Sequence, residues 1–344
     1  MSVFFSNNPI SLNSFSKIIS SNEFISFGPY KNDIISAFWN LNIYTNQRHL
    51  ALSYAISLLL VYLLIRFKDK EKKINLKKSA FIGIILGFLF ILNMAVFLMT
   101  VIILTALLLL KTKPKIYLVI PIALGVIIAF PQFLFTQSQE QSFRLMLNLG
   151  YLVKDLNLQS FINYWLQNLG LHLFLIPLGV LVANKVSKKI FVSFFILFIV
   201  GNLIQFSPEI AANHKFFNYF MIIGVMFSSY FLVNLWKRNL LLKPIVIVCL
   251  FFITLSGILD FFPVLNDNKI SIVDYPKNKN ISWIIENTNP KSAFLNTEYL
   301  YNSASLAGRK IFLGWPYFAW SQGYDTLKRD NIRKDLLNTN DLSF

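Results

Sequence analysis

The sequence predicts an all-α polytopic membrane domain of about eight crossings, followed by a small α/β domain outside the membrane. Three observations carry this. Of 344 residues, 55% are hydrophobic and only 14% charged, against about 25% charged in soluble globular chains. The apolar residues gather in long runs bounded by charge. The basic residues gather in short clusters between those runs. A chain this apolar is not disordered, and one cysteine, Cys249, cannot build a disulfide scaffold.

The runs fall at about 49–67, 79–110, 116–134, 162–183, 189–206, 215–236 and 243–262. The 32-residue run 79–110 would make a helix of about 48 Å, too long for one crossing of about 30 Å. Lysines flank both its ends, at residues 66–78 and 111–115. By the positive-inside rule both flanks are cytoplasmic, so the run crosses an even number of times. Two short helices meeting near Asn93 satisfy this, with Gly83 and Gly87 as a small-xxx-small contact between them. Lys185, Lys188 and Lys189 mark a third inner loop, and Lys237, Arg238 and Lys243 a fourth. Sixteen of the 32 basic residues lie on these four loops, beside only Asp69 and Glu71 of the 16 acidic ones. The net charge of +16 is therefore largely a topology signal. Nucleic-acid binding needs a basic docking surface and is not expected.

The resulting layout is an extracytoplasmic segment 1–47, a transmembrane helical domain 48–262 and an extracytoplasmic α/β tail 263–344, with both termini outside. Segment 1–47 has no basic start and no long apolar core, so it does not read as a signal peptide. The expectation is a chain preceded by an upstream polypeptide portion, the alternative being an N-out protein with an unusual tail.

Within the tail, Lys279–Asn287 places Ile281, Ile284 and Ile285 at helical spacing, and Thr288-Asn289-Pro290 ends the helix. Residues 292–297 and 310–315 read as short strands. Residues 325–338 read as a closing helix with i,i+4 pairs Asp325/Arg329 and Asp330/Lys334.

Soluble-enzyme motifs for phosphate loops, dinucleotides and metalloproteases are absent. Three histidines and one cysteine do not suggest a metal site, and the sequence names no cofactor. Strongly polar residues instead sit near one end of the spans. Asn163, Gln167, Asn168 and His172 lie in 162–183; Asn202 and Gln205 end 189–206; Asn218 starts 215–236; Asp260 ends 243–262; Asn46, Gln47 and Arg48 precede the first span. A polar group in hydrocarbon is costly and should face a bundle interior or a wet cavity. The two readings are interhelical glue and a polar cavity open to the outer leaflet. The loop Ser207–Lys215 adds Glu209, His214 and Lys215 at a helix start, a set able to hold phosphate or move a proton. Gly308–Tyr324 carries Trp315, Tyr317, Phe318, Trp320 and Tyr324 beside Arg309. Such rings stack on sugars or lipid headgroups, form interfacial belts, or simply pack.

The order of these features resembles a known family. Asn46–His49 (N-Q-R-H) precedes a helix; a helical hairpin follows at 79–110; an outer loop ends N-H-K-F-F-N at Asn213–Asn218. The tail then carries W-I-I-E-N-T-N-P and A-G-R-K-I-F-L-G-W-P-Y. This resembles the C-terminal part of polytopic bacterial members of the C-type glycosyltransferase superfamily, which includes mannosyltransferase-like and arabinosyltransferase-like enzymes. The resemblance implies a plasma-membrane glycosyltransferase that takes a sugar from a polyprenyl-phosphate donor at the outer leaflet. It also implies a catalytic acid in a first outer loop, to which no Asp or Glu of this chain corresponds. Glu209 and Asp260 are the acids available for catalysis. Arg48, His172, His214, Lys215, Arg309, Trp315, Tyr317 and Trp320 are the candidates for substrate binding. The expected partners are the lipid bilayer and a polyprenyl-phosphate sugar. A non-catalytic membrane scaffold or binding protein, or less favourably a transporter, is the alternative.

Overall fold

The computed structural model describes residues 11–20, 48–66, 76–110, 116–136, 145–266, 277–321 and 323–339. Segment 1–47 therefore lies outside the described residues except for 11–20, as do most of the lysines of the first two basic loops.

Fourteen α-helices are found among the described residues. In order they are α1 (Leu12–Ser20), α2 (Arg48–Arg66), α3 (Leu76–Leu92), α4 (Met94–Leu109), α5 (Ile116–Thr136), α6 (Leu158–Leu169), α7 (His172–Val182), α8 (Lys185–Leu203), α9 (His214–Arg238), α10 (Lys243–Asn266), α11 (Lys279–Asn287), α12 (Ser303–Leu306), α13 (Pro316–Trp320) and α14 (Thr326–Asn338). Four two-residue strands accompany them: β1 (Met146–Leu147), β2 (Ile204–Gln205), β3 (Ala293–Phe294) and β4 (Lys310–Ile311). The chain divides into two units. The first holds Met1–Thr136, Leu147–Gln205 and Ala211–Asp267; the second holds Gln137–Met146, Phe206–Ile210 and Asn268–Phe344.

The first unit is helical. Four described helices are long and apolar enough to cross a membrane, or five if the bent pair α6–α7 is one span. The run 79–110 breaks where its length demanded. Asn93 ends α3 and caps α4, its Oδ1 accepting from the Val96 N–H at 3.1 Å. The two halves have 17 and 16 residues, about 25 Å each.

Two expectations need correction. Gly83 and Gly87 do not serve the contact between α3 and α4. They face α5, where a Cβ on Gly83 would lie 2.9 Å from Pro121 Cα and one on Gly87 2.5 Å from Ile128 Cβ. Gly125 of α5 likewise faces Leu86, so α3 and α5 approach at backbone distance. The run 162–183 is not one helix. It bends by 86° between α6 and α7. Gly170, at φ +54° and ψ −133°, takes a conformation that a side chain would resist, and this ends α6.

Polar side chains tie the helices of this unit together. Ser57 Oγ on α2 lies 2.6 Å from Thr100 Oγ1 on α4 and also hydrogen-bonds the Tyr219 hydroxyl on α9. Tyr54 stacks on Tyr219 at 4.6 Å and donates to the Lys215 carbonyl at 2.7 Å. All four side chains are buried. Asn213 closes the turn before α9, its Nδ2 donating to the carbonyls of Gly201 and Ile204. Tyr151, Trp165, Phe198 and Phe217 form an aromatic box, with Trp165 4.5 Å from Phe198 and 4.7 Å from Phe217.

The second unit is a small α/β layer. β3 and β4 pair in parallel, Ala293 with Lys310 and Phe294 with Ile311, with α12 in the crossover. Helix α11 starts and stops where the isoleucine spacing placed it. Its Ile281 and Ile284 pack with Ala304, Ala307, Phe294, Leu306 and Ile311. The strands are shorter than expected. Helix α14 begins one residue late because Asp325 is its N-cap, Oδ1 accepting from the N–H groups of Leu327 and Lys328. The pair Asp325/Arg329 is therefore not made; Arg329 donates to the Phe312 carbonyl at 2.8 Å and covers the Phe312 ring. The pair Asp330/Lys334 is made, at 2.7 Å.

Candidate acid–aromatic site

Helix α13 was not anticipated, and it arranges the aromatic stretch. Pro316 opens it, suited by its fixed φ to a first helical turn. Tyr317 then lies 6.0 Å from Trp320 and 6.4 Å from Phe318, ring to ring. Trp315, Tyr317, Phe318 and Trp320 are all exposed. In water such a cluster leaves apolar area uncovered, which marks a surface built to meet something.

Glu209 belongs to the same unit and meets this cluster. Its Oε2 accepts a hydrogen bond from the Tyr317 hydroxyl, although the two residues are 108 apart in sequence. Ser207 Oγ donates to the Glu209 carbonyl at 2.7 Å and folds the loop beneath it. A carboxylate beside indole and phenol rings can accept protons or hydrogen bonds from hydroxyl groups while the rings cover C–H faces.

A buried network supports the aromatic ledge. Tyr299 meets Trp315 edge-on at 6.0 Å. The Tyr299 hydroxyl donates to Asp330 Oδ1 at 2.7 Å and accepts from Arg333 at 2.8 Å. Arg333 pairs with Asp330 at 2.9 Å and donates to the Asn296 carbonyl. Asn296 in turn exchanges two hydrogen bonds with the backbone of Leu313, two residues before Trp315. The hydrogen bond from Lys334, then that from Tyr299 and with them Arg333, hold the Asp330 carboxyl down to about 2 against the opposing effect of burial. The same contact raises Lys334.

The other candidates occupy different settings. Arg309 turns away from any ligand role as a free cation. Its Nε donates to Thr288 Oγ1, and its terminal nitrogens donate to the carbonyls of Ala307, Ile285 and Thr288 at 2.9–3.1 Å. It caps the C-terminus of α11, where orphan carbonyls favour a cation. His214 and Lys215 fall in the first unit. His214 is buried and its Nδ1 lies 2.7 Å from Asn218 Oδ1, one turn on. His172 no longer shares a helix with Asn168. Its Nδ1 lies 3.0 Å from Ser228 Oγ, whereas Asn168 donates to the Tyr164 carbonyl. Asn163 and Gln167 are exposed on α6. Asn202 donates to the Phe198 carbonyl, and its Oδ1 is buried with no hydrogen-bond partner. The side chains of Arg48 and Asp260, and the residues Asn46 and Gln47, lie outside the described residues.

Sequence reasoning missed the Tyr54–Ser57–Thr100–Tyr219 cluster. Its available signal was Tyr54 and Ser57 spaced i,i+3 inside an apolar span, hence on one helix face. Among the described residues no group of three or more His, Cys, Asp or Glu side chains is placed to hold a metal ion. No family model, no curated protein and no solved structure matches this chain.

Proposed function

We propose that this chain is an integral membrane protein that handles a polyprenyl-phosphate-linked sugar at the membrane face opposite its basic loops. In this reading the helical unit crosses the bacterial plasma membrane about eight times, counting α3 and α4 separately. The second unit lies outside, and both termini are outside. The observation that carries the reading is the hydrogen bond between Glu209 and Tyr317 on the exposed aromatic ledge. It joins the best candidate acid to the best candidate sugar surface inside one folded unit.

The chemistry follows from the groups present. A sugar ring lies with its C–H face on Trp315, Tyr317 or Trp320. An acceptor hydroxyl displaces the Tyr317 hydroxyl at Glu209. The carboxylate takes the acceptor proton as the oxygen attacks the anomeric carbon, and the lipid phosphate leaves with the electron pair of the broken C–O bond. Cations near the departing phosphate lower the barrier. Arg309 of the same unit is engaged with backbone carbonyls.

Transfer of radiolabelled sugar from a polyprenyl-phosphate donor by the full chain in proteoliposomes tests this. Glu209→Gln should lower the rate by about 10²–10⁴-fold, the range of a general base, and Tyr317→Phe far less. Undiminished transfer in Glu209→Gln, or no transfer and no sugar-dependent change in tryptophan fluorescence by the unaltered chain, would refute the proposal. A non-catalytic membrane scaffold is the second reading. It is favoured by the way Asn168, Asn202, Asn213 and Asn218 bond to backbone or side chains of their own bundle.

A further inference from the structure

Helix α1 divides its surface into three sectors. Ser14 and Ile18 are buried against the rest of the unit. Leu12, Phe15 and Ile19, spaced i, i+3 and i+7, are 87%, 44% and 55% exposed. Asn13, Ser16, Lys17 and Ser20 are exposed on the remaining side. At 3.6 residues per turn these sets occupy adjacent arcs rather than alternating. A helix on a water-facing protein surface needs two sectors, one on the protein and one in water. A third, apolar and exposed, calls for a different medium.

The position of α1 identifies that medium. It packs against α10, and the Ile19 carbonyl accepts from Asn266 Nδ2 at 2.6 Å, at the last residue of α10. The other end of α10 begins at Lys243, beside the basic pair Lys237 and Arg238. Its 24 residues span about 36 Å, more than the roughly 30 Å of a hydrocarbon core. If the basic end lies at one membrane surface, Asn266 and α1 lie at the other. The same end of α10 exposes Ile258, Phe261 and Leu265, so apolar side chains reach that level already.

We infer that α1 lies in the membrane interface opposite the basic loops, with Leu12, Phe15 and Ile19 inserted among the acyl chains and Asn13 and Lys17 in the headgroup layer. The partner is a lipid surface. Amphipathic helices of this kind sit about 5–10 Å into the headgroup–acyl boundary. The inference rests on the membrane reading and is independent of the sugar reading. It also changes the sense of segment 1–47: its described part is a membrane-bound element and not a free extracytoplasmic tail.

The test uses the full chain with Cys249→Ser, reconstituted in nanodiscs of phosphatidylcholine and phosphatidylglycerol. Single cysteines replace Asn13, Phe15, Lys17 and Ile19 in turn and carry a nitroxide. Ile127→Cys, on an exposed position of α5, is the control for lipid exposure. Collision with oxygen and with a water-soluble nickel chelate is measured at each. The expected oxygen-to-nickel ratio is above unity at 15, 19 and 127, and below unity at 13 and 17. A ratio below unity at 15 and 19 with 127 still above it overturns the inference and leaves the membrane reading standing. Exclusion of both reagents at 15 and 19 means that protein covers the sector, and overturns it too. A ratio below unity at 127 overturns the membrane reading and this inference together.

Discussion

Gly179→Ala should loosen the helical unit more than any other single methyl group added to a glycine of α7–α10. Gly179 lies on α7 where that helix presses against α9. A Cβ built on it would stand 2.1 Å from the Phe227 carbonyl oxygen and 2.6 Å from the Phe227 carbonyl carbon. Real Cβ contacts do not fall below 3.0 Å, so the deficit is about 0.9 Å. The obstructing atoms are backbone, inside a helix of 25 residues, and no side-chain rotation relieves them. The two helices must separate by roughly that amount. A gap of about 0.5–1 Å forfeits a quarter to a half of each dispersion contact across it. Ile176 would lose its fit over Gly224, and His172 its hydrogen bond to Ser228. The expected loss is about 2–3 kcal/mol, the upper part of the over-packing range. Gly257→Ala on α10 is the matched control. Nothing lies within 4 Å of its Cβ position, so alanine should leave stability unchanged or raise it by up to about 1 kcal/mol through helix propensity. Thermal unfolding in nanodiscs, followed by tryptophan fluorescence, reads both. Equal midpoints for the two variants would refute the close approach of α7 to the α9 backbone.

Two further predictions concern the second unit. The Asp330 carboxyl is held near 2 when folded against about 3.9 when unfolded, so it stabilises the folded unit above about pH 4. That contribution fades as pH falls from about 4 to about 2. Near-ultraviolet circular dichroism should show acid loosening in this window, and Asp330→Asn should flatten it; an identical acid limb in the variant would contradict the network around Tyr299. Arg309→Lys should lower stability by about 1–2 kcal/mol, because a single ammonium cannot reach four acceptors on two segments. If thermal stability is unchanged while sugar transfer drops, Arg309 serves substrate rather than the end of α11.

Local features of this molecule were legible in the sequence and remote pairings were not. Asn93 was marked by a run too long for one crossing and too lysine-flanked for three. Helix α11 was marked by the isoleucine spacing and the Thr-Asn-Pro stop. Both depend on residues within a turn or two. Gly83 and Gly87 announced close packing, yet which helix would use them depends on tertiary fit, and α5 supplies the matching Gly125. The break at Gly170 was hidden because a glycine inside an apolar run is often tolerated. The polar residues were visible, but the i,i+4 rule pairs side chains only along an unbroken helix, so Asn168 and His172 parted. Glu209 and Tyr317 could each be named from chemistry alone. Their meeting required the loop before α9 to fold with the tail.

The hydroxyl cluster of Tyr54, Ser57, Thr100 and Tyr219 has a consequence for synthesis. Tyr54 finds its acceptor on Lys215, 161 residues later, and Ser57 meets Tyr219 162 residues later. At about 5–20 residues per second, α2 waits roughly 8–32 s in the insertion machinery or the bilayer before α9 exists to receive it. During that wait Thr100 can bond its own Val96 carbonyl, and Ser57 can bond Thr100 once α4 has emerged. The tightly fitted pair α3 and α5 needs nothing made later than Thr136. Assembly should therefore proceed from α3 and α5 outward, with α2 resting on α3 and α4 until α9 arrives to complete its hydrogen bonds. A chain stalled before residue 214 would hold a bundle in which Tyr54 of α2 still lacks its acceptor.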